Sequence, residues 1–164
     1  MLDVQIRAAT AADLPFINDI YNHYVLHSTC TYQEEPETAQ AREAWFVAHG
    51  EMHPITVAIV DGNVVGWGSL SPFHKRSAYR RTVENAVYVR HTEHRRGIGR
   101  MLLQDLIDRA AALGHHTIIA GIDAEQTASI ALHEKLGFTR VAHLKEVGYK
   151  LGRWLDVICM QRML

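Results

Sequence analysis

The sequence has 164 residues, of which 48% are hydrophobic and 21% are charged. A chain of this length forms one domain of ordinary size and buries roughly two-thirds of its unfolded surface, so its core needs no disulfide or metal. The 17 basic and 18 acidic residues leave a formal charge of −1, which excludes the general positive field that holds a nucleic-acid backbone.

The opening segment and the cysteines bear on location. The first residues, MLDVQIRAAT, show no charged-then-apolar leader, and no apolar stretch is long enough to span a bilayer. Cys30 and Cys159 lie far apart in the chain. With no linker, charge block or repeat to divide it, the sequence predicts one reduced, soluble, cytoplasmic domain over residues 1–164.

The first half predicts a strand, two helices and a hairpin. A short strand covers residues 4–7, and a helix with its N-cap at Thr10 ends near His27. A second helix covers residues 38–49. The apolar stretches PITVAIV and VVGWGSL are joined by Asp61-Gly62-Asn63, a turn sequence whose residues tolerate positive φ, which indicates a β-hairpin.

The second half predicts further strands and helices in alternation. They are a strand at Thr82–Val89, a helix over 97–113, a strand over 117–122, a helix over 128–136, and strands that begin at Phe138 and Trp154. This order predicts an α/β (α+β) fold with a mixed sheet and helices on both faces.

The segment THEHRRGIGR lies between a predicted strand and a predicted helix. Its glycines, Gly97 and Gly99, allow the backbone to approach a ligand while the helix N-terminus directs free N–H groups and positive potential toward it. The nearby arginines can bind phosphate in a bidentate way. The alternative is a turn shaped by glycine with solvated arginines.

This loop resembles the acetyl-CoA site of the GNAT family of N-acetyltransferases. That signature has Gln or Arg, two residues, Gly, one residue, and Gly or Ala after the fourth strand. Here His94 stands at the first position, a departure that affects one side-chain contact. The resemblance implies that the loop binds the pyrophosphate of acetyl-CoA through Arg95, Arg96, Gly97, Ile98, Gly99 and Arg100.

The resemblance covers nearly the whole chain. The segments IRAATAADLP, IYNHYVLHSTCTYQEEP, TVENAVYV, SIALHEKLGF and GRWLDV are similar to the phosphinothricin and methionine sulfone or sulfoximine acetyltransferase branch. It implies a mostly antiparallel, twisted sheet of about seven strands, a homodimer, and acetyl transfer from acetyl-CoA to the α-amino group of a small amino acid analogue. We expect the GRWLDV segment to be structural, with Trp154 packed.

Glu84 matches the residue taken as general base in this branch. Alternate residues of its strand, including Ala86 and Tyr88, share its face, so the carboxylate is expected among mostly apolar neighbours. Such burial would raise its pKa toward the range useful for deprotonating an amine, directly or through water. The alternative is a structural salt bridge with Arg80 or Arg81.

The resemblance also implies how the coenzyme is held and how its thiol leaves. A backbone N–H of Val87 or Tyr88 polarises the thioester, and the pantetheine arm pairs along Val87 to Val89. His133, or a water bound to it, supplies a proton to the thiolate, the alternative being a histidine that only packs within its helix. Gln126 replaces the usual Asn that contacts the coenzyme.

For the acceptor, the resemblance points to the loop before the Glu84 strand. Arg76 and Tyr79 align with residues proposed to bind the substrate, His74 stands where relatives carry Lys or Arg, and Tyr32 lines the opposite wall. A solvated charged loop is the alternative. Another amine as acceptor and a non-catalytic acyl-CoA-binding module are the competing functions. The eleven histidines form no zinc-site spacing, so no metal is predicted.

Overall fold

Seven strands form one sheet in the computed structural model, which describes residues 3–164. They are β1 (Gln5–Ala8), β2 (Ile55–Val60), β3 (Asn63–Pro72), β4 (Thr82–Val89), β5 (Thr117–Asp123), β6 (Thr139–Lys150) and β7 (Arg153–Met163). Their order in the sheet is β1-β2-β3-β4-β5-β7-β6, and β4 with β5 is the parallel pair. The predicted mixed, mostly antiparallel sheet of about seven strands is confirmed.

Four helices cover the two faces of this sheet. They are α1 (Leu14–His27), α2 (Ala39–His49), α3 (Ile98–Ala112) and α4 (Thr127–Lys135). α1 and α2 pack with Val57 and Trp67 on one face, whereas α3 and α4 pack with Leu70 and Val83 on the other. Leu106 of α3 is fully buried, so truncating it to Ala would cost about 2–5 kcal/mol.

The hairpin between β2 and β3 follows its turn sequence. Asp61 has φ 48° and Gly62 has φ 77°, the left-handed conformations that a two-residue type I′ turn requires. The turn fixes the register of β3 against β2, and β3 in turn pairs with β4 on its other side. The predicted hairpin is therefore confirmed.

β4 and β5 stay paired over only three positions. Thr82, Val83 and Glu84 pair with Thr117 to Ile119, and beyond that point the strands diverge. β4 keeps its pairing with β3 as far as Val89. The divergence leaves one edge of β4 without a strand partner in the middle of the sheet, from Asn85 to Val89.

β6 is an edge strand that carries a row of exposed apolar side chains. Trp154, at the start of β7, is 61% exposed, so the expectation that it packs is wrong. It lies on the β6–β7 hairpin at the edge of the sheet, where its ring packs edge-on against Tyr149, with 5.1 Å between the ring centroids. No helix between residues 3 and 164 is long and apolar enough to cross a membrane.

Candidate active site

The divergence of β4 from β5 forms a cleft of about 230 Å³. Residues of both strands line it, together with the loop after α1 and the start of α4. Its lining includes the side chains of Cys30, Ser71, Glu84, Asn85, Asp123 and His133. Since only Glu84 and His133 among these were candidates from sequence, the cleft adds four lining residues that sequence reasoning missed.

The open edge of β4 presents alternate backbone groups to the cleft. Arg90 N–H bonds to Val65 O on β3 and Thr82 O accepts from Phe73 N–H, so even-numbered residues of β4 bond to β3. In an antiparallel strand the intervening residues then face the other way. Val87 N–H therefore faces the cleft, whereas Tyr88 N–H bonds to β3. Of the two backbone N–H groups predicted to contact the thioester, only that of Val87 is directed toward the cleft.

The last carbonyl on this edge already has a protein partner. The hydroxyl of Tyr24, on α1, donates to Val89 O, and His94 Nε2 lies 2.7 Å from the same hydroxyl. His94 thus ties the loop after β4 to α1. Both backbone groups of Val87 and the N–H of Val89 remain for an extended ligand.

The loop after β4 has the conformation of an anion site. Arg95 has φ 63° and Gly97 has φ 79°, and no side chain caps the N-terminus of α3 at Gly97. The N–H groups of the first helical turn have no intrahelical acceptor, and their dipoles favour an anion. Arg95 and Arg100 are exposed, whereas Arg96 pairs with Glu93. The backbone fits a pyrophosphate.

Glu84 is exposed rather than surrounded by apolar residues, which corrects the sequence-based expectation. The pairing of β4 with β5 ends at Glu84, so its side chain lies in an open cleft and is not covered by neighbouring elements. The walls still remove part of its hydration, which raises the pKa of the carboxyl, while the charge of His74 acts in the opposite direction. Among the described residues, neither Arg80 nor Arg81 forms an ion pair with it.

Gly121 of β5 leaves space beside the Glu84 carboxylate. A Cβ atom at this position would lie 3.5 Å from Glu84 Oε1 and 3.8 Å from Val157 Cγ1. Alanine would therefore make ordinary contacts, and a larger side chain would occupy the space next to the carboxylate. The glycine keeps room for a ligand at this point.

His133 enters the cleft from the opposite face of the sheet. Its Nδ1 lies 2.8 Å from Ser129 O, and Asn85 Nδ2 lies 3.0 Å from its Nε2. A carbonyl only accepts, so Nδ1 carries the proton, and Nε2 of the neutral ring accepts from Asn85. Burial lowers the pKa of His133, opposed by the bond to Ser129, which favours this neutral form.

Ser71 lies beside Glu84 on the other face. The two residues are cross-strand partners of β3 and β4, and Ser71 Oγ lies 3.1 Å from Nε2 of His49, at the end of α2. Nδ1 of His49 lies 2.7 Å from Trp45 O. The register of β3 against β4 brings this pair to the cleft, and no local sequence motif marks it.

The loop before β4 forms a separate cavity of about 710 Å³. Its lining includes the predicted acceptor residues His74, Arg76 and Tyr79, together with Phe73 and Lys75. The ring of His74 packs edge-on against Phe73 and Tyr79, at 4.2 and 4.9 Å between centroids. Arg76 is exposed and forms no ion pair among the described side chains. The loop leads directly into β4, the strand that carries Glu84.

Tyr32 and Gln126 support the wall of the cleft instead of presenting free polar groups. Tyr32 donates to Asp123 and contacts Asp156 O at 3.2 Å. Its ring lies against Gly148, where a Cβ would come within 2.5 Å of it. Gln126 Nε2 donates to Thr29 Oγ1 at 3.1 Å. Of these predicted contact residues, Gln126 lines the cleft and Tyr32 stands behind it.

A metal site requires a cluster of metal-ligating side chains in a suitable spatial arrangement. Between residues 3 and 164, no group of three or more His, Cys, Asp or Glu residues is arranged to hold a metal ion. His23 and His91 stack at 3.8 Å between centroids, a parallel arrangement that does not direct two ring nitrogens to one point.

Comparison with known proteins gives the family. The model of the acetyltransferase (GNAT) family matches residues 17–138. The chain is 41% identical over 160 residues to the L-methionine sulfoximine/L-methionine sulfone acetyltransferase of Salmonella typhimurium, covering 97% of this chain and 94% of the relative. It is 40% identical to the phosphinothricin N-acetyltransferase of Streptomyces viridochromogenes, covering 97% and 87%.

A solved structure with the same fold contains bound acetyl-CoA. The phosphinothricin acetyltransferase of Sinorhizobium meliloti, in complex with acetyl-CoA, superposes with a TM-score of 0.96 at 39% identity, covering 98% of this chain and 88% of that one. The open β4 edge and the free helix N-terminus at Gly97 fit the same coenzyme. The chain therefore belongs to the GNAT family and is an acetyl-CoA-dependent N-acetyltransferase.

Proposed function

We propose that this enzyme transfers the acetyl group of acetyl-CoA to the α-amino group of a small amino acid analogue of the phosphinothricin or methionine sulfone or sulfoximine type. Transfer occurs by direct attack of the amine, with Glu84 as general base. The two relatives above carry the names of such acetyltransferases over nearly the whole chain. Residues 1–164 form one catalytic domain in this proposal.

One observation carries the mechanism: β4 places a carboxylate, an unpaired N–H and a phosphate loop in order along one open edge. Glu84 lies where β5 departs, Val87 N–H follows, and the loop to α3 comes at the end of the strand. The spacing suits an extended coenzyme whose pyrophosphate lies at Gly97 and whose thioester lies near Val87.

The reaction needs one proton acceptor and one hydrogen-bond donor from the protein. Glu84 removes a proton from the acceptor ammonium, and the amine nitrogen bonds to the thioester carbonyl carbon. Val87 N–H stabilises the charge that develops on the carbonyl oxygen, and the C–S bond then breaks to release the thiolate. The nitrogen loses its second proton to solvent as the neutral amide forms. The raised pKa of Glu84 makes the carboxylate a stronger base than an ordinary glutamate.

For His133, the contacts favour the packing alternative over proton donation. Its Nδ1–H is directed to Ser129 O, and its Nε2 accepts from Asn85. Neither nitrogen of the neutral ring therefore presents a proton to the cleft. We assign the thiolate proton to solvent and give His133 the role of fixing Asn85 in the cleft wall.

The carboxylate of the acceptor fits the loop cavity before β4. Its lining contains Lys75 and Arg76, which have no acidic partner among the described residues, with His74 beside them. A carboxylate bound there would orient the neighbouring amine toward Glu84, since holding reactants in the attack geometry removes much of the entropic barrier. A basic lining also favours acids over polyamines as acceptors.

The assembly and location proposed from the sequence have partial support. The β6–β7 hairpin carries exposed apolar side chains that suit a second copy of the chain: Val141, Leu144, Val147, Tyr149, Leu151 and Trp154. We propose a homodimer through this surface. Both cysteines are free, as expected of an enzyme in the reducing cytoplasm.

An acceptor screen tests the proposal directly. Free thiol is measured after mixing enzyme and acetyl-CoA with phosphinothricin, methionine sulfone, methionine sulfoximine, the twenty amino acids, polyamines and a peptide with a free N-terminus. We expect the first three compounds to give the highest kcat/KM. Equal or faster release with polyamines or the peptide would overturn the assigned acceptor class while leaving the acetyltransferase activity in place.

A further inference from the structure

Ser71 and His49 form a hydrogen-bonded pair that has no part in the proposed acetyl transfer. Ser71 lines the cleft, and its cross-strand partner is Glu84, so both side chains leave the same face of the sheet at adjacent positions. His49 lies behind Ser71, with Nε2 3.1 Å from the hydroxyl oxygen. The pair therefore stands next to the base, on the side of α2.

The direction of the Ser71 hydroxyl follows from the backbone of α2. Trp45 O lies 2.7 Å from His49 Nδ1, and since a carbonyl only accepts, Nδ1 carries the ring proton. Burial lowers the pKa of His49, with the Trp45 bond opposing this change, so the ring is neutral near pH 7. Its Nε2 then offers a lone pair, and the Ser71 hydroxyl donates its hydrogen to it.

A hydroxyl whose hydrogen is committed in this way shows only lone pairs to the cleft. A ligand beside Glu84 therefore meets two acceptors, the carboxylate and Ser71 Oγ, and must supply N–H groups. We propose that Ser71, oriented by His49, is a positioning residue that accepts a hydrogen bond from the acceptor amine. This inference rests on the proposed function, because it concerns the amine that Glu84 deprotonates.

Two protons leave the acceptor ammonium in all, one to Glu84 before the attack and one to solvent as the amide forms, and neither passes to Ser71 or His49. The acceptor ammonium loses one proton to Glu84, which leaves an NH₂ group with two N–H bonds and a lone pair. One N–H bonds to Ser71 Oγ, and this contact turns the lone pair away from Glu84 and Ser71. The lone pair is then free to attack the thioester carbonyl carbon.

Replacement of Ser71 separates this role from a structural one. With acetyl-CoA saturating, Ser71→Ala should raise the KM for the acceptor about tenfold, the effect of losing one hydrogen bond of ordinary strength. The KM for acetyl-CoA should not change. Ser71→Thr retains the hydroxyl and should restore the acceptor KM. Ser69→Ala is the matched control, since Ser69 lies two residues away on the same strand face and does not line the cleft.

His49 is tested through its dependence on Ser71. His49→Phe keeps a ring against Trp45 but frees the hydroxyl to rotate, so we expect a smaller rise in acceptor KM. The double variant Ser71→Ala/His49→Phe should show no rise beyond that of Ser71→Ala, because His49 acts through the hydroxyl. Additive effects would overturn the orienting role of His49. If His49→Phe fails to fold, the Ser71 variants still test whether Ser71 accepts a hydrogen bond from the acceptor amine.

Binding without turnover gives an independent readout. In calorimetric titration of the acceptor into the enzyme complex with coenzyme A, Ser71→Ala should weaken binding by the same factor as its KM rises. Unchanged KM and Kd, or a loss confined to kcat, would overturn the inference. If the wild type acetylates no α-amino acid, the proposed acceptor class fails instead, and the same Ser71 comparison is made with the amine that it does acetylate.

Discussion

Asn85 donates a hydrogen bond to Nε2 of His133, at 3.0 Å, from the strand that also carries Glu84. The two side chains that the sequence marks as catalytic candidates, Glu84 and His133, thus differ in state. Glu84 has a raised pKa and an exposed side chain, whereas His133 is 4% exposed and both of its nitrogens have protein partners. Of these two side chains, Glu84 is the one that can exchange protons with a ligand without a rearrangement of its neighbours.

This difference predicts unequal effects of replacing the two side chains. Glu84→Gln should lower kcat by about 10² to 10⁴, the usual contribution of a general base. His133→Gln, which keeps a polar group for Asn85, should lower kcat less than about tenfold, because a neutral ring with no free N–H donates no proton. A fall of about a hundredfold or more in His133→Gln, with the coenzyme affinity intact, would restore the proton-donor alternative.

The pH dependence of the reaction should report the ionisation of Glu84. The carboxylate form is the base, so kcat/KM should fall as the pH falls through the pKa of Glu84. Desolvation raises that pKa, so the acid limb should be displaced to higher pH than for a fully hydrated glutamate. Glu84→Gln should lose this limb in its residual activity. A limb that persists in the variant would assign it to another group.

The elements and the glycine-containing loop before α3 were readable from sequence because their signals are local. The Asp61-Gly62 turn, the apolar period of α3 and the glycine at 97 each depend on a few adjacent residues. The exposure of Glu84 was not readable, because it results from β5 leaving β4 at one point in the sheet.

Contacts between elements could not be predicted from the sequence either. Ser71 and His49 are 22 residues apart, and their contact depends on how α2 crosses β3. Trp154 was expected to pack because large aromatic residues are usually buried, yet the hairpin that carries it lies at the edge of the sheet. Such pairs follow from tertiary packing and strand register, which no short motif encodes.

Coenzyme binding should depend on the left-handed conformation at Gly97. At a hundred times its Kd, acetyl-CoA should stabilise the wild type by about 2.7 kcal/mol. Gly97→Ala places a Cβ in open space but strains the backbone at φ 79°, at a cost of about 1–2 kcal/mol if the loop keeps its shape. We expect about tenfold weaker binding, and so only about 1.4 kcal/mol of stabilisation at the same coenzyme concentration.

Gly114→Ala is the matched control for this experiment. Gly114 follows α3 at its other end, has φ 77°, and also has nothing within 4 Å of a Cβ. The variant should lose stability to a similar extent and respond normally to acetyl-CoA in thermal melts. An equal loss of coenzyme response in both variants would mean that general destabilisation, and not the loop, causes the effect.

The proposed dimer surface predicts a change in mass after one substitution. Trp154→Asp puts a charge among the exposed apolar side chains of the β6–β7 hairpin and should yield a monomer in sedimentation velocity. Val47→Asp is the control, since Val47 is 80% exposed on α2 and lies outside that hairpin. If both variants and the wild type sediment alike, the hairpin is not the interface.

The loop cavity predicts how the acceptor carboxylate is recognised. Arg76 lines that cavity and has no acidic partner among the described side chains, so its guanidinium is free to bind a carboxylate. Arg76→Ala should raise the KM for free α-amino acids about tenfold or more, the cost of a lost charge-assisted hydrogen bond, and change little for their methyl esters. Arg80→Ala, in the same loop but outside the cavity lining, should leave both classes of acceptor unaffected. Kinetics with matched acid and ester pairs make the comparison, and wild-type enzyme that acetylates the esters as well as the acids would show that no carboxylate contact orients the amine.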